Sequence, residues 1–275
     1  MITSRMKSSR LPGKPMLPLA GKPIIGHVIE RLSDVPGVDV TVVATTRAGY
    51  DDPLAMHVAW NTDAYVYRGS EDDVLARNYE AALSVNADVV LQVGADDVLT
   101  DPALAARVVA AILRPDTTDY VETRYMPLGV GCRAFTVGIL GQAVREATLP
   151  LEREHITGFW DKRPKRFPPT GVYYGETDQY LAHRLTVDTW ADYELHQHIF
   201  DHLYPQKPRF TLEDVMALLA EHPEWEEPVR GTPHLQPSRT PVDGTKFVRT
   251  RYGDVPDVGV NTYGLADARP DLGDT

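Results

Sequence analysis

Cysteine and long apolar stretches are nearly absent from this sequence. Its 275 residues include one cysteine, Cys132, which excludes an internal disulfide and is typical of a protein from a reducing compartment. We interpret Cys132 as a small residue of a semi-buried strand, because no catalytic motif accompanies it. No apolar run reaches the roughly 18 residues of a membrane span, and the N-terminus lacks the apolar core of a signal peptide. The sequence therefore predicts a cytoplasmic protein without a membrane segment.

Basic residues are outnumbered by acidic residues, except in one segment of the chain. The chain has 28 lysines and arginines against 39 acidic residues, a formal net charge of −11. This balance argues against binding to nucleic acid or to an anionic membrane, which requires broad basic surfaces. The first 29 residues, however, contain no acidic side chain and carry a charge of +5, which leaves −16 on the rest. A cationic segment on an anionic body suits a small polyanionic ligand.

Short runs rich in β-formers alternate with amphipathic helical patterns along the chain. The predicted strands cover 38–46, 64–68, 87–94 and 118–124. The predicted helices cover 23–35, 71–85, 101–114, 136–149, 189–203 and 210–225, with Asp101 and Thr211 as N-caps. This alternation predicts an α/β fold of Rossmann-like type, a mostly parallel sheet with helices on both faces. In such folds ligands bind at the carboxyl ends of the strands.

The C-terminal part of the chain loses this regular pattern. Between residues 223 and 275 the sequence contains seven prolines and six glycines and shows no sustained period. Such a composition favours an irregular, extended segment over a second globular domain. We therefore predict one domain over residues 1–225 and a tail over residues 226–275.

A basic loop, "RMKSSRLPGK" (5–14), follows a short predicted first strand. A loop with serine and glycine after a strand can point successive backbone N–H groups at an anion. Arg5, Arg10 and Lys14 add positive charge, and arginine binds phosphate oxygens in a bidentate way. The loop is not a P-loop, since that motif would need glycine at Met16 and serine or threonine at Pro23.

This loop and four later motifs carry a resemblance to a known family. The segment "RMKSSRLPGKPMLPLAGKPIIGHVIERL" resembles the nucleotide-binding signature of the CMP-sugar synthetases, the 3-deoxy-manno-octulosonate and acylneuraminate cytidylyltransferases, and above all their spore-coat-polysaccharide-type relatives. The resemblance continues in "YRGSEDDVLARNYEAA" (67–82), "VGADDVLTDP" (93–102), "RLTVDTWADYEL" (184–195) and "FTLEDVMALLAEHPE" (210–224). It covers most of residues 1–225.

The resemblance implies a reaction and a set of nucleotide-binding residues. These enzymes transfer CMP from CTP to an acidic acceptor, a sugar acid or by extension a phosphonate, and release pyrophosphate. On this model Arg5, Arg10 and Lys14 hold the triphosphate, while Ser8 and Ser9 supply loop donors. A further lysine, in the second Gly-Lys-Pro at position 22, either contacts the nucleotide or only begins a helix.

The same resemblance implies Mg²⁺ and two acidic residues that bind it. Asp96 follows a predicted strand where the family has a magnesium-binding aspartate, and its neighbour Asp97 is expected to face the other way. Asp188 matches the family's second acidic position; alternatively it caps the following helix, a role that Thr189 could also fill. Ser70 is the expected contact near the cytosine and ribose.

The acceptor side is less specific in the sequence. Residues 125–135 align with a loop that shapes the acceptor pocket in the family, and residues 151–160 resemble a helix with a Glu-Arg-Glu-His run. Arg153 or His155 either meets an acceptor carboxylate or phosphonate or belongs to a charged helix surface. A homodimer is expected by resemblance, with residues 125–170 and the tail as candidate contacts.

Two other classes of function compete with this hypothesis. A nucleotide-sugar glycosyltransferase would use a similar sheet, but it usually carries Asp-x-Asp where this chain has Ala95-Asp96-Asp97. A non-catalytic nucleotide-binding protein is expected to lose charged residues such as Lys14, and none is lost. The histidines at 196, 198 and 202 are spaced like metal ligands, but without a further ligand we interpret them as a solvated helix face.

Overall fold

The computed structural model describes residues 1–173 and 180–232, together with the backbone of two strands in the tail. In chain order the strands are β1 (Ile2–Thr3), β2 (Pro18–Leu19), β3 (Lys22–Pro23), β4 (Val42–Thr46), β5 (Tyr65–Gly69), β6 (Val89–Gly94), β7 (Tyr120–Arg124), β8 (Arg133–Thr136), β9 (Thr170–Tyr173), β10 (Phe247–Thr250) and β11 (Gly253–Pro256). The helices are α1 (Ile24–Ser33), α2 (Asp52–Asn61), α3 (Val74–Ser84), α4 (Pro102–Ile112), α5 (Val137–Glu146), α6 (Pro150–Glu154), α7 (Gly158–Asp161), α8 (Trp190–Leu203) and α9 (Leu212–Glu221).

Seven strands form one sheet in the order β5-β4-β1-β6-β8-β7-β9. Within this sheet every pairing is parallel except those of β8, which runs antiparallel to β6 and β7. Ile2 pairs with Val43 on one side and with Val93 on the other, so the two-residue β1 lies between β4 and β6. The loop that follows β1 therefore leaves from the middle of the carboxyl edge of the sheet.

Apolar spacing explains why the helices cover the sheet. In α1 the apolar residues Ile25, Val28 and Leu32 recur every three or four positions, and all three are buried. They belong to the main core together with Ile2 and Val43 of the sheet. Each fully buried side chain of this size contributes about 1.5–3 kcal/mol to stability.

A second core cluster contains large aromatic side chains. Trp160 of α7 is buried against Tyr120 and Phe135, with ring centroids 5.7 and 5.2 Å apart. These two tilted aromatic pairs pack α7 onto strands β7 and β8. Because β8 belongs to this cluster, the antiparallel strand is anchored by aromatic packing as well as by its hydrogen bonds.

The structure confirms the α/β class and most of the predicted elements. Strands β4, β5, β6 and β7 and helices α1, α3, α4, α5, α8 and α9 lie within or close to the predicted ranges and are mostly shorter. Both predicted N-caps are present: Asp101 accepts from the backbone N–H groups of Ala103 and Leu104, and Thr211 accepts from that of Asp214. Hydrogen-bonding N-caps are strong local signals.

Four features of the chain differ from the sequence predictions. Helix α2 and strand β9 were not predicted, and the loop predicted over 125–135 ends in strand β8. The predicted single helix over 151–160 is two short helices, because the chain is extended at His155, where φ is −116° and ψ is 123°. Short elements of this kind depend on tertiary contacts more than on local periodicity.

The part of the tail that the structure describes packs onto the domain at first. A 3-10 turn over Pro223–Glu226 follows α9, and Val229 is buried in the main core. Strands β10 and β11 pair as an antiparallel hairpin. The remaining tail residues lie outside the described part of the chain, so the boundary at residue 225 stays a prediction. Within the described residues, no helix is long and apolar enough to span a membrane.

Candidate active site

The basic loop after β1 is held by backbone hydrogen bonds at its beginning and its end. The N–H of Ser4 donates to the carbonyl of Ala44 at 3.2 Å, which fixes the loop to β4. The carbonyl of Met6 accepts from the N–H of Gly13 at 2.9 Å, so the loop turns back on itself. Gly13 has a φ of +72°, a left-handed conformation that favours glycine. This turn places Lys14 at the end of the loop.

Lys14 lies at the centre of a cluster of charged groups. Its ammonium donates to Asp96 Oδ2 at 2.8 Å, to Asp188 Oδ1 at 3.0 Å and to the carbonyl of Val187 at 3.0 Å. Burial alone would lower the pKa of Lys14, but the charges of both carboxylates and their hydrogen bonds raise it above its ordinary value. Lys14 is therefore a cation that two carboxylates share.

Asp188 also binds an arginine of the loop and is itself held in place. Arg10 Nη2 lies 3.0 Å from Asp188 Oδ1. Arg184 forms a bidentate pair with Asp192 at 2.7 and 3.0 Å, and Asp192 accepts from the backbone N–H of Asp188 at 3.0 Å. Thr189 caps α8 by accepting from Asp192 N–H, so the capping role belongs to Thr189. The Asp188 carboxylate is left to face the loop.

Asp97 behaves differently from its neighbour Asp96. Asp97 Oδ2 accepts from the N–H of Gly94 at 3.3 Å, which turns it back toward the end of β6. Burial and the negative charge of Asp96 raise the pKa of Asp97 to about 8. A Cβ on Gly94 would lie 2.3 Å from Asp96 Oδ1, so a larger residue there would force the Asp96 carboxylate to move. Asp96 is thus the carboxylate that faces the loop lysine.

The other predicted nucleotide-binding residues of this region differ in their exposure and in their hydrogen-bond partners. Arg5 and Ser9 are exposed, and Arg5 forms no ion pair with the residues that the structure describes. Ser8 Oγ accepts from Leu11 N–H at 3.3 Å and so braces the loop. Lys22 donates to Glu30 at 2.6 Å and to the hydroxyl of Tyr204, the C-cap of α8, at 2.8 Å, and so binds neither Asp96 nor Asp188. Lys22 lies in β3 and α1 begins only at Ile24, so Lys22 does not begin the helix, and its contact with the nucleotide stays a prediction.

The predicted contact for the cytosine and ribose lies at the start of α3. Ser70 is exposed, and its hydroxyl accepts from Asp73 N–H at 3.1 Å. Arg77 is buried and donates to the carbonyl of Ser70 at 2.5 Å, which braces the turn before α3. Thr45 and Thr46, at the end of the neighbouring β4, are fully buried.

The predicted acceptor-side residues make internal contacts. Arg153 donates to Asp73 Oδ2 at 3.1 Å and to the carbonyls of Val144 and Ala147 at 2.8 and 2.9 Å. These bonds join α6 to α3 and α5. His155 Nε2 is buried without a hydrogen-bond partner in the described part of the chain, and burial lowers the pKa of His155. The acceptor roles of Arg153 and His155 stay predictions.

Sequence reasoning missed a second charged group near the carboxyl ends of β6 and β7. Arg133, the first residue of β8, pairs with Gln92 and Glu122 in the sheet register. The hydroxyl of Tyr120 donates to Glu122 at 2.9 Å and to Asp161 at 3.3 Å. Burial lowers the pKa of Arg133, but its interactions with Tyr120, Asp161 and Glu122 raise it above its ordinary value, so Arg133 stays cationic. A single arginine in a strand-like run gives no sequence signal for this cluster.

His198 and His202 of α8 are exposed, as predicted for a solvated face, whereas His196 and the lone cysteine are buried. His196 is fully buried and bonds to the carbonyls of Asp192 and Leu185, so the predicted solvated face is wrong for this residue. No group of three or more potential metal ligands occurs in the described residues. Cys132 is buried beside β8, and burial raises the pKa of its thiol to about 12, which excludes an activated nucleophile.

In this mostly parallel sheet, strand β1 leads into a cationic loop, and two acids face that loop. This arrangement is typical of a nucleotide-binding α/β enzyme. Comparison with known proteins is more specific. The cytidylyltransferase family model matches residues 1–215, and the chain belongs to that family. The protein is thus an enzyme of the nucleotidyltransferase class.

Individual relatives agree with this assignment. The chain is 26% identical over 229 residues to the spore coat polysaccharide biosynthesis protein SpsF of Bacillus subtilis, covering 82% of this chain and 94% of that protein. It is 36% identical over 114 residues to a 3-deoxy-manno-octulosonate cytidylyltransferase of Anaeromyxobacter, covering 41% and 46%. A solved cytidylyltransferase from Leptospira borgpetersenii superposes with a TM-score of 0.77 at 26% identity, covering 86% of this chain and 97% of that one. The predicted family is confirmed.

Proposed function

We propose that this enzyme transfers CMP from CTP to an acidic acceptor, a sugar acid or a phosphonate, and releases pyrophosphate. The observation that carries the proposal is the convergence of Lys14 and Arg10 on Asp188, with Asp96 bound to the same lysine. Cations and carboxylates brought together in this way suit a ligand that carries both phosphates and a divalent ion. Glycosyl transfer and non-catalytic binding have no comparable support.

The loop residues would bind the triphosphate. Arg10 and Lys14 are held by carboxylates, and an incoming phosphate chain offers them alternative anionic partners. Arg5, exposed at the start of the loop, adds a third cation, and Ser8 and Ser9 add donors. Phosphoryl transfer depends mainly on position and on charge stabilisation, which these groups supply.

The carboxylates fit Mg²⁺. Their oxygens Asp96 Oδ2 and Asp188 Oδ1 lie 2.8 and 3.0 Å from one ammonium group, so they converge on a single cation. Mg²⁺ prefers such oxygen ligands and keeps its other positions for water and phosphate oxygens. Among the described residues no third potential ligand joins the two acids, which therefore suit an ion that arrives with the nucleotide. When bound, this ion would neutralise part of the phosphate charge.

The transfer itself needs an acceptor oxygen in line with the α-phosphorus. A bond forms between this oxygen and the α-phosphorus, and the bond from that phosphorus to the bridging oxygen of pyrophosphate breaks. A hydroxyl acceptor also releases its proton, whereas an acid oxygen attacks as the anion and releases none. Lys14 and Arg10 would hold the α- and β-phosphates for this displacement. Arg133, Arg153 and His155 are the candidates for binding the negative group of the acceptor. A homodimer and a cytoplasmic location complete the proposal.

Binding of the nucleotide can be tested before the acceptor is known. CTP, UTP, ATP and GTP would each be added with MgCl₂ to the wild-type protein, and the melting temperature measured. A ligand that binds the folded state raises this temperature according to its concentration and Kd. We expect CTP to give the largest rise. Equal effects of the four nucleotides, or no effect of any of them, would count against a CTP site.

A further inference from the structure

We propose that Asp51 is a positioning residue for the basic loop and thereby sets the affinity of the enzyme for CTP. The proposal rests on the proposed function, since it takes the loop to be the binding site of the triphosphate. Asp51 lies outside the loop, at the end of a 3-10 turn over Gly49–Asp51 that joins β4 to α2. Its carboxyl side chain is fully buried.

The two oxygens of Asp51 have different partners. Oδ1 accepts from the backbone N–H of Met6, in the loop, at 2.6 Å. Oδ2 accepts from the backbone N–H of Thr46 at 3.2 Å and from the Thr46 hydroxyl. Burial of a carboxylate is costly unless hydrogen bonds compensate for the lost water. These three donors supply that compensation and connect the end of β4 to the loop.

Helix capping does not explain this residue. Asp51 occupies the N-cap position of α2, where aspartate usually accepts from the first turn of the helix. Here its side chain makes no capping hydrogen bond and is turned toward the loop instead. A position that could stabilise a helix is used to hold the loop.

A short series of contacts leads from Asp51 to the active-site lysine. Asp51 binds the N–H of Met6, and the carbonyl of Met6 accepts from the N–H of Gly13 at 2.9 Å. Gly13 directly precedes Lys14, which binds Asp96 and Asp188. Fixing Met6 therefore fixes both ends of the loop that carries the phosphate-binding cations.

The substitution Asp51→Asn tests this role. An amide has one acceptor oxygen, so in either orientation the N–H of Met6 or that of Thr46 loses its partner. We expect trypsin to cleave the loop, after Arg5, Lys7 or Arg10, about tenfold faster, and the Kd for CTP to rise about tenfold, which corresponds to one lost hydrogen bond. The melting temperature without ligand should fall by only about 2–5 °C, as expected for one lost hydrogen bond, so the variant stays folded under the assay conditions. The matched control is Asp52→Asn, an adjacent aspartate that is half-exposed and pairs with Arg68.

Amide exchange in the wild-type protein gives an independent measurement if Asp51→Asn does not fold. The Met6 amide should exchange at least about tenfold more slowly than those of Lys7 and Ser8, whose N–H groups have no acceptor within the described residues. Exchange of all three at similar rates would overturn the proposal. So would wild-type cleavage and wild-type Kd in Asp51→Asn, or a raised Kd without faster cleavage.

The same experiments separate this proposal from the proposed function. If wild-type protein fails to bind CTP, the proposed function is wrong, and the Kd values of wild type and Asp51→Asn can no longer be compared. Loop cleavage and Met6 exchange need no nucleotide, so they still decide whether Asp51 holds the loop. Slow exchange at Met6 together with faster cleavage in Asp51→Asn alone, and not in Asp52→Asn, would support the anchoring role even then.

Discussion

The ammonium of Lys14 lies 2.8 Å from the carboxylate of Asp96, although 82 residues separate them in the chain. Lys14 follows the basic loop and Asp96 follows strand β6, so the pair forms only because β1 and β6 are neighbours in the sheet. Asp188 joins them from the segment before α8. The site is therefore a product of the parallel topology, which brings three distant segments to one edge.

Two lysines with the same neighbours in sequence allow the role of this site to be distinguished from the general effect of removing one positive charge. Lys14 and Lys22 both occur in Gly-Lys-Pro, but Lys22 binds Glu30 and not the two aspartates. We expect Lys14→Met to lower kcat/KM for CTP by roughly 100-fold, as expected for loss of a phosphate-stabilising cation. Lys22→Met should keep most of the wild-type value. Steady-state pyrophosphate release measures both, and equal losses in the two variants would contradict the assignment.

Arg153 can be tested as a brace and as an acceptor ligand in one variant. Arg153→Ala removes an ion pair to Asp73 and the donors to two carbonyls, so we expect the free energy of unfolding to fall by about 2–3 kcal/mol. Urea unfolding measures this value, with the exposed Arg145→Ala of the neighbouring helix as control. A large rise in KM for the acceptor with unchanged stability would instead make Arg153 an acceptor-binding residue.

His27 makes the fold sensitive to mild acid. It is buried between Phe200 and Tyr204 and bonds to the carbonyl of Leu19 at 2.8 Å, and burial lowers its pKa from 6.5 to about 4. Between pH 6.5 and about 4, His27 is therefore protonated in the unfolded chain and neutral in the folded protein. Stability should fall as the pH drops from 6.5 to about 4, by up to about 3 kcal/mol from this residue.

The substitution His27→Gln isolates this contribution. Its stability should change less between pH 6.5 and 4 than that of the wild type, because the titrating ring is absent. His202→Gln, at an exposed position, is the control. Urea unfolding at a series of pH values measures the difference, and parallel curves for wild type and His27→Gln would refute the role of this ring.

Local signals in the sequence were sufficient for the sheet class, six of the helices and the position of the basic loop. Asp101 and Thr211, for example, are capping residues whose pattern is complete within a few positions. The pairing of Lys14 with Asp188 and the turn of Asp51 toward Met6 are not visible in this way, because both join segments far apart in the chain. Strand β8 was missed for the same reason, since only its neighbours in the sheet make it a strand.

Turnover with a panel of acceptors tests the central claim most directly. Wild-type protein, Asp96→Asn and the exposed control Asp116→Asn would each receive CTP, MgCl₂ and one of a series of sugar acids and phosphonates, and both pyrophosphate and the CMP-bearing product would be measured. We predict CTP-dependent formation of both products with one acidic acceptor, lowered roughly 100-fold in Asp96→Asn and unchanged in Asp116→Asn. Full activity in Asp96→Asn, or pyrophosphate released from another nucleotide in preference to CTP, would contradict the account.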